Sequence, residues 1–128
     1  MRPQPIDLCH RLSIFLLLWQ KVLQLTLKRE PFAVMVTGEK KKEFRSPGAW
    51  ILSRLVDSKT GERKQYDRVS FSNGYGAHSP RFTVSYKGYT LEPNGVHEYY
   101  SNGLEVDTRG EATYVIFLGD DIVEEVPL

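Results

Sequence analysis

The residues best placed to do chemistry are gathered in Gly38-Glu39-Lys40-Lys41-Lys42-Glu43-Phe44-Arg45. An ammonium, a carboxylate and a planar guanidinium fork at this spacing can hold a flat hydrogen-bonding ligand such as a nucleobase, or a phosphate. If residues 43 to 45 run extended, alternation puts Glu43 and Arg45 on one face and Phe44 on the other, free to pack inward. Glu43 can accept from the amino and imino groups of a base, or pair with Arg45 or a nearby lysine and hold the loop. Arg45 can grip a phosphate or a carbonyl edge, or form a structural salt bridge. Lys40 is either a cleft residue or an exposed lysine, while Lys41 and Lys42 read as solvated. A solvated charge run beside a turn is the competing reading of the whole stretch.

Further candidates flank it. Trp50 and Arg54 share one helix face, where Trp50 can stack on an unpaired base or sit in the core, and Ser53 and Arg54 can meet a phosphate or serve the surface. Asn73-Gly74-Tyr75-Gly76 is a ligand-facing loop in which Asn73 reads polar edges and Tyr75 stacks, or simply a tight turn that needs glycine. His10, His78 and His97 are scattered, and with Cys9 as the only cysteine there is no zinc-ligand spacing and no disulfide framework. No metal and no cofactor are expected. No ordered Ser/His/Asp set is present either, and Asp120, Asp121, Glu124 and Glu125 read as a solvated acidic tail.

The elements that must position these residues are short. Val22 to Lys28 alternates with Leu23, Leu25 and Leu27 on one face, as a half-buried strand does. Pro31 to Thr37 reads as a helix with Pro at its first position and Gly38 to stop it, and Ser46-Pro47 opens a second helix through Val56. Tyr66 to Ser72 and Arg81 to Tyr86 are strands, the latter continuing through Tyr89-Thr90-Leu91 beyond a bulge at Gly88. Ala112 to Leu118 is almost wholly apolar, as a central strand should be. Between Glu92 and Gly110 turn formers dominate and no element is assigned. The pattern suits a small α+β domain, a mainly antiparallel barrel or curled sheet of about five to six strands with two short helices at its side.

The chain of 128 residues is one domain with an ordinary balance of 41% hydrophobic and 26% charged residues. Its net charge of +1 conceals a division: residues 1–87 hold 16 Lys/Arg against 7 Asp/Glu, and residues 88–128 hold 1 against 9. The basic part can attract phosphates while the acidic part cancels a global field, which fits a nucleoside or an exposed nucleotide better than a duplex. Residues 1–21 differ in character from the domain at 22–128. Their apolar run Leu12 to Trp19 suggests a signal peptide, but it is too short to span a bilayer and precedes no cleavage pattern; the readings are a targeting segment, an added helix, an upstream extension or a docking element for a protein partner. No membrane association is expected, and a cytoplasmic location is the default.

Gly38, Lys40, Glu43 and Arg45, in the order strand, short helix, Gly-x-Lys-x-x-Glu-x-Arg, helix, strand and closing apolar strand, resemble the ASCH domain, a branch of the PUA-like superfamily. The similarity runs from Val22 to Gly119, carried mostly by Gly38 to Leu55 and Asp67 to Tyr75. The resemblance implies a curled β-barrel with a cleft lined by the signature, and a ligand that is RNA or a modified nucleoside. It also implies a second class of activity. One bacterial subgroup hydrolyses the acetyl amide of 4-acetylcytidine with a lysine at the position of Lys40 and a threonine three residues on, where this chain has Glu43; other relatives have been proposed to cleave RNA. The expectation is therefore a binding module using Lys40, Glu43, Arg45, Trp50, Ser53, Arg54, Asn73 and Tyr75. The alternative is an amidohydrolase or ribonuclease in which Lys40 and Glu43 are catalytic and Lys40 is buried beside a carboxylate with a lowered pKa.

Overall fold

A computed structural model describes residues 20–125. The apolar segment Leu12 to Trp19 and most of the 1–21 extension lie outside the described residues, as do residues 126–128. The elements in chain order are β1 (Val22–Leu27), α1 (Arg29–Val36), β2 (Lys42–Arg45), α2 (Ala49–Leu55), β3 (Arg68–Asn73), β4 (Arg81–Glu92), β5 (His97–Tyr99), β6 (Glu105–Asp107), β7 (Thr113–Leu118) and β8 (Val123–Glu125). Neither described helix is long and apolar enough to cross a membrane.

Six strands form one α+β sheet in the order β1-β3-β4-β7-β2, with β8 also paired to β4. Only the β1–β3 pair is parallel, and the crossover between them carries α1, β2 and α2. β4 runs for 12 residues and serves both halves of the sheet, pairing β3 and β8 through its first residues and β7 through its last. The register shifts between Tyr86 and Tyr89. Gly88, at φ +93°, takes the backbone conformation that a side chain would resist, so the expected bulge is where the sequence puts it.

Register explains the core. Leu25, Phe71 and Phe82 lie in one row across β1, β3 and β4, and Leu23, Val69 and Val84 in the next, all buried. Leu27 of β1, Met35 of α1, Ile51 and Leu55 of α2, and Ile116 and Leu118 of β7 complete the same cluster. Phe32 and Phe71 meet the Phe82 ring, each with centroids 5.2 Å apart. The intervening rows, Gln24-Ser70-Thr83 and Thr26-Ser72-Arg81, are polar and form the outer face. This is the period-2 division of a sheet with one face packed and one face wet.

Several boundaries differ from expectation. α1 starts at Arg29 with Lys28 as its N-cap residue, so Pro31 is its third residue and not its first, and β3 starts at Arg68, two residues after Tyr66. α2 starts at Ala49 with Gly48 as its N-cap residue, because residues through Arg45 are held in β2 by β7; Ser46 makes no cap. The stretch Glu92 to Gly110, for which no element was expected, folds into the β5–β6 hairpin. The acidic tail contributes β8, and Asp121 just before it accepts from the Ser85 amide at 3.0 Å and from Arg68 Nη1 at 2.9 Å. It therefore ties β3 to β4 and is more than a solvated charge.

Candidate functional site

Local structure sets the motif at the end of α1. Gly38, at φ +86°, turns the chain after the C-cap Thr37, and its amide donates to the Met35 carbonyl at 2.9 Å. The chain then extends, and the Leu118 amide donates to the Lys41 carbonyl at 3.0 Å as β2 begins its pairing with β7. Glu43 stands opposite Ile116 in that register, and opposed residues share a face. The core-facing side of β2 is thus the charged one. Glu43 is only 5% exposed, whereas Phe44, expected to pack inward, lies opposite Val115 on the other side.

Lys40, Glu43 and Arg45 come together as the spacing suggests. Glu43 Oε2 accepts from Arg45 Nε at 2.9 Å and lies 2.8 Å from Nη2, so the guanidinium meets the carboxylate through two nitrogens. Glu43 Oε1 accepts from the Phe44 amide at 3.0 Å and lies 3.5 Å from Lys40 Nζ. Arg45 Nη2 also donates to the Thr26 carbonyl at 2.8 Å. Lys40 is 2% exposed; its ammonium donates to the Lys42 carbonyl and faces the rings of Phe44 at 4.8 Å and Tyr100 at 5.8 Å.

The hairpin supplies the second wall. Glu98 Oε1 accepts from Lys42 Nζ at 2.9 Å, and its other oxygen accepts from the Tyr100 hydroxyl. Glu39 holds the hairpin tip, accepting from the Ser101 amide at 2.8 Å and the Ser101 hydroxyl at 2.6 Å. Asn102 Nδ2 adds a bond to the Glu30 carbonyl at 3.0 Å. Glu98 and Tyr100 are the site residues that sequence reasoning missed, and the two strands of their hairpin are only three residues long, too short for any periodicity. Lys42, read as solvated, is engaged by Glu98, and Lys41 pairs with Asp120.

Burial orders the electrostatics. Desolvation pushes the Lys40 pKa down, opposed by the charge and hydrogen bond of Glu43 and by the charge of Glu98, and reinforced by Arg45. Burial and the bond to Glu98 push the Tyr100 phenol up. Burial also raises Glu98, but its bonds from Tyr100 and Lys42 outweigh that and hold it below the ordinary carboxylate value. The ammonium is thus placed among two carboxylates, a carbonyl and two ring faces.

The other sequence candidates fall elsewhere. Trp50 is 51% exposed, with Arg54 stacked on its ring at 5.0 Å, and Ser53 Oγ donates to the Trp50 carbonyl at 2.6 Å. Asn73 closes β3, its amide bonded to the Pro80 carbonyl at 2.8 Å, and Tyr75 is 94% exposed on the loop beyond. Among the described residues no hydrogen bond joins Asn73 or Tyr75 to Lys40, Glu43 or Arg45. Arg54 instead lines a depression of about 260 Å³ with Thr26, Ser70, Ser72 and Arg81. His97, one of the histidines scattered in the sequence, is brought by the hairpin to 2.7 Å from Glu105, with Asp107 in the same cluster. Asp107 is committed to Arg109 at 2.9 Å.

Compared with family models, with curated proteins and with solved structures, the chain finds no significant match.

Proposed function

We propose that the protein is an RNA- or modified-nucleoside-binding module whose sheet closes in the PUA-like manner around the Gly-x-Lys-x-x-Glu-x-Arg motif. The observation that carries this reading is the fixing of Arg45. A buried carboxylate and a backbone carbonyl hold its guanidinium in one orientation while a quarter of its side chain stays exposed. A preorganised fork of that kind suits a nucleobase carbonyl edge or a phosphate oxygen, because little further ordering is needed on binding. Lys40 and Glu43 then act chiefly as its support.

The test is titration of the protein with a panel of free nucleosides, modified nucleosides and short single-stranded RNA, read by calorimetry or fluorescence anisotropy. Binding that Arg45→Gln weakens at least tenfold, with the fold intact by circular dichroism, is the expected result. Absence of binding to every member of the panel overturns the reading.

One observation favours the alternative of a nucleoside amidohydrolase or ribonuclease: Lys40 is buried beside Glu43 with its pKa lowered, as a nucleophilic or general-base lysine requires. The glutamate in place of the subgroup's threonine, together with a carbonyl and a carboxylate already holding the ammonium, weighs against it. Incubation with 4-acetylcytidine and with RNA, read by mass spectrometry, decides. Turnover abolished in Lys40→Ala establishes catalysis, and none above background in the intact protein removes it for these substrates.

A further inference from the structure

The outer face of the sheet carries a concave, hydrogen-bonding surface that the motif does not use. Two adjoining depressions, of about 550 and 260 Å³, share Gln24, Ser70 and Arg81 as lining. The strand register produces this. Gln24 stands beside Ser70, which stands beside Thr83, and Thr26 beside Ser72, which stands beside Arg81, so the outward residues of three strands form two polar rows. Arg54 leans in from α2 at one side, and Arg68 and Glu125 stand at the other.

The charges on this surface are uneven. Arg68 is committed to Asp121. Among the described residues neither Arg54 nor Arg81 has a carboxylate within ion-pair distance, and Arg54 only stacks on Trp50. Glu125 is the cross-strand neighbour of Arg81 and the acidic group facing the larger depression. Two guanidinium groups converging on a polar hollow, with serine and threonine hydroxyls and an amide between them, match the oxygens of a phosphodiester. Thr26 joins this hollow to the motif, since the same residue lines it and gives its carbonyl to Arg45.

We infer that this outer groove is a phosphate track for single-stranded RNA, with Arg54 and Arg81 as its cationic contacts. The inference rests on the nucleic-acid reading above and adds the polymer: a base held near Arg45 would have its neighbouring phosphates led across the sheet. Recognition is then electrostatic along the track and insensitive to sequence there.

The experiment is anisotropy with a fluorescein-labelled single-stranded RNA of about ten nucleotides, a length typical of such sites, repeated from about 50 to about 200 mM salt. Arg54→Gln and Arg81→Gln should each weaken binding roughly tenfold at the lower salt and flatten the log–log salt slope by about one contact. Arg81→Lys, which keeps the charge, should recover most of the affinity, and Glu125→Gln should tighten binding. If RNA binds and Arg45→Gln weakens it while both groove variants keep wild-type affinity and slope, the track is wrong and the binding reading stands. If nucleosides bind but RNA adds nothing, the track again falls alone. If neither nucleosides nor RNA bind, both fall.

Discussion

Arg45 Nη2 donates to the Thr26 carbonyl at 2.8 Å, and these residues belong to β2 and β1, the two strands at opposite ends of the sheet order. The sheet therefore curls until its ends are within reach of one side chain. Glu43 is what makes that contact specific, because it fixes the guanidinium from the core side while Thr26 receives it from across the gap. A motif whose sequence could equally serve a ligand or hold the structure does the second here, and leaves a quarter of the Arg45 side chain exposed.

Removing Glu43 should therefore cost more than removing any surface pair. In Glu43→Gln the buried Lys40 ammonium and the Arg45 guanidinium both lose their anion, an arrangement worth about 3 to 5 kcal/mol when one partner is deleted. The free energy of unfolding from urea titration should drop by that amount, with Arg45→Gln falling nearly as far and the double variant falling by much less than the sum. Additive losses would mean that the pair is not one unit.

The hairpin that brings Glu98 and Tyr100 over Lys40 depends on Gly95. Its φ is +81°, and a Cβ there would lie 1.9 Å from the Thr108 carbonyl oxygen. Gly103, at φ +86°, has nothing within 4 Å of such an atom. Gly103→Ala should thus cost about 1 kcal/mol from backbone conformation alone. Gly95→Ala should cost clearly more, since backbone must move, and should raise exchange of the hairpin amides. Equal losses would show that the close approach to Thr108 is not a constraint.

Legibility in the sequence followed element length and pattern. Leu23, Leu25 and Leu27 announced β1 because six residues are enough to display a period of two, and the run at 112–118 announced β7 because an unbroken apolar stretch of that length marks a central strand. Which face of β2 is buried was not legible: with four residues and alternating charge, only its partner Ile116 decides that Glu43 turns inward. The spacing of Lys40, Glu43 and Arg45 was enough to group them. Glu98 and Tyr100 arrive from more than fifty residues away through a hairpin of three-residue strands, a relation that only long-range pairing creates.

Acid should unfold the protein partly through Asp121. Bonds from Ser85 and Arg68 hold its carboxyl well below the usual value of 3.8. A carboxylate with a depressed folded pKa adds stability that is complete above 3.8 and is lost as pH falls toward the folded value. Melting temperature should accordingly fall below pH 3.8, and Asp121→Asn should be less stable than wild type at neutral pH yet lose less on acidification. Parallel pH curves for the two proteins would remove Asp121 as the titrating group.

On the alkaline side two effects of opposite sign should meet. Lys40 has its folded pKa lowered from 10.5, so as pH climbs from the folded value to 10.5 the unfolded chain holds more protons and stability rises. Burial pushes the Tyr86 phenol from 10.0 up to about 12. Tyr100 is raised as well. For these tyrosines the folded chain holds the extra protons, so their contribution is complete below 10.0 and is lost as pH rises toward the folded values. The urea midpoint should climb as pH rises from the folded Lys40 value toward 10.5, be opposed once pH passes 10.0, and then fall. Lys40→Met should abolish the climb and leave the fall, whereas Tyr86→Phe should leave the climb and soften the fall. A climb that survives in Lys40→Met would mean that the buried ammonium is not the group being relieved, and with it would go the main physical support for a reactive lysine at this site.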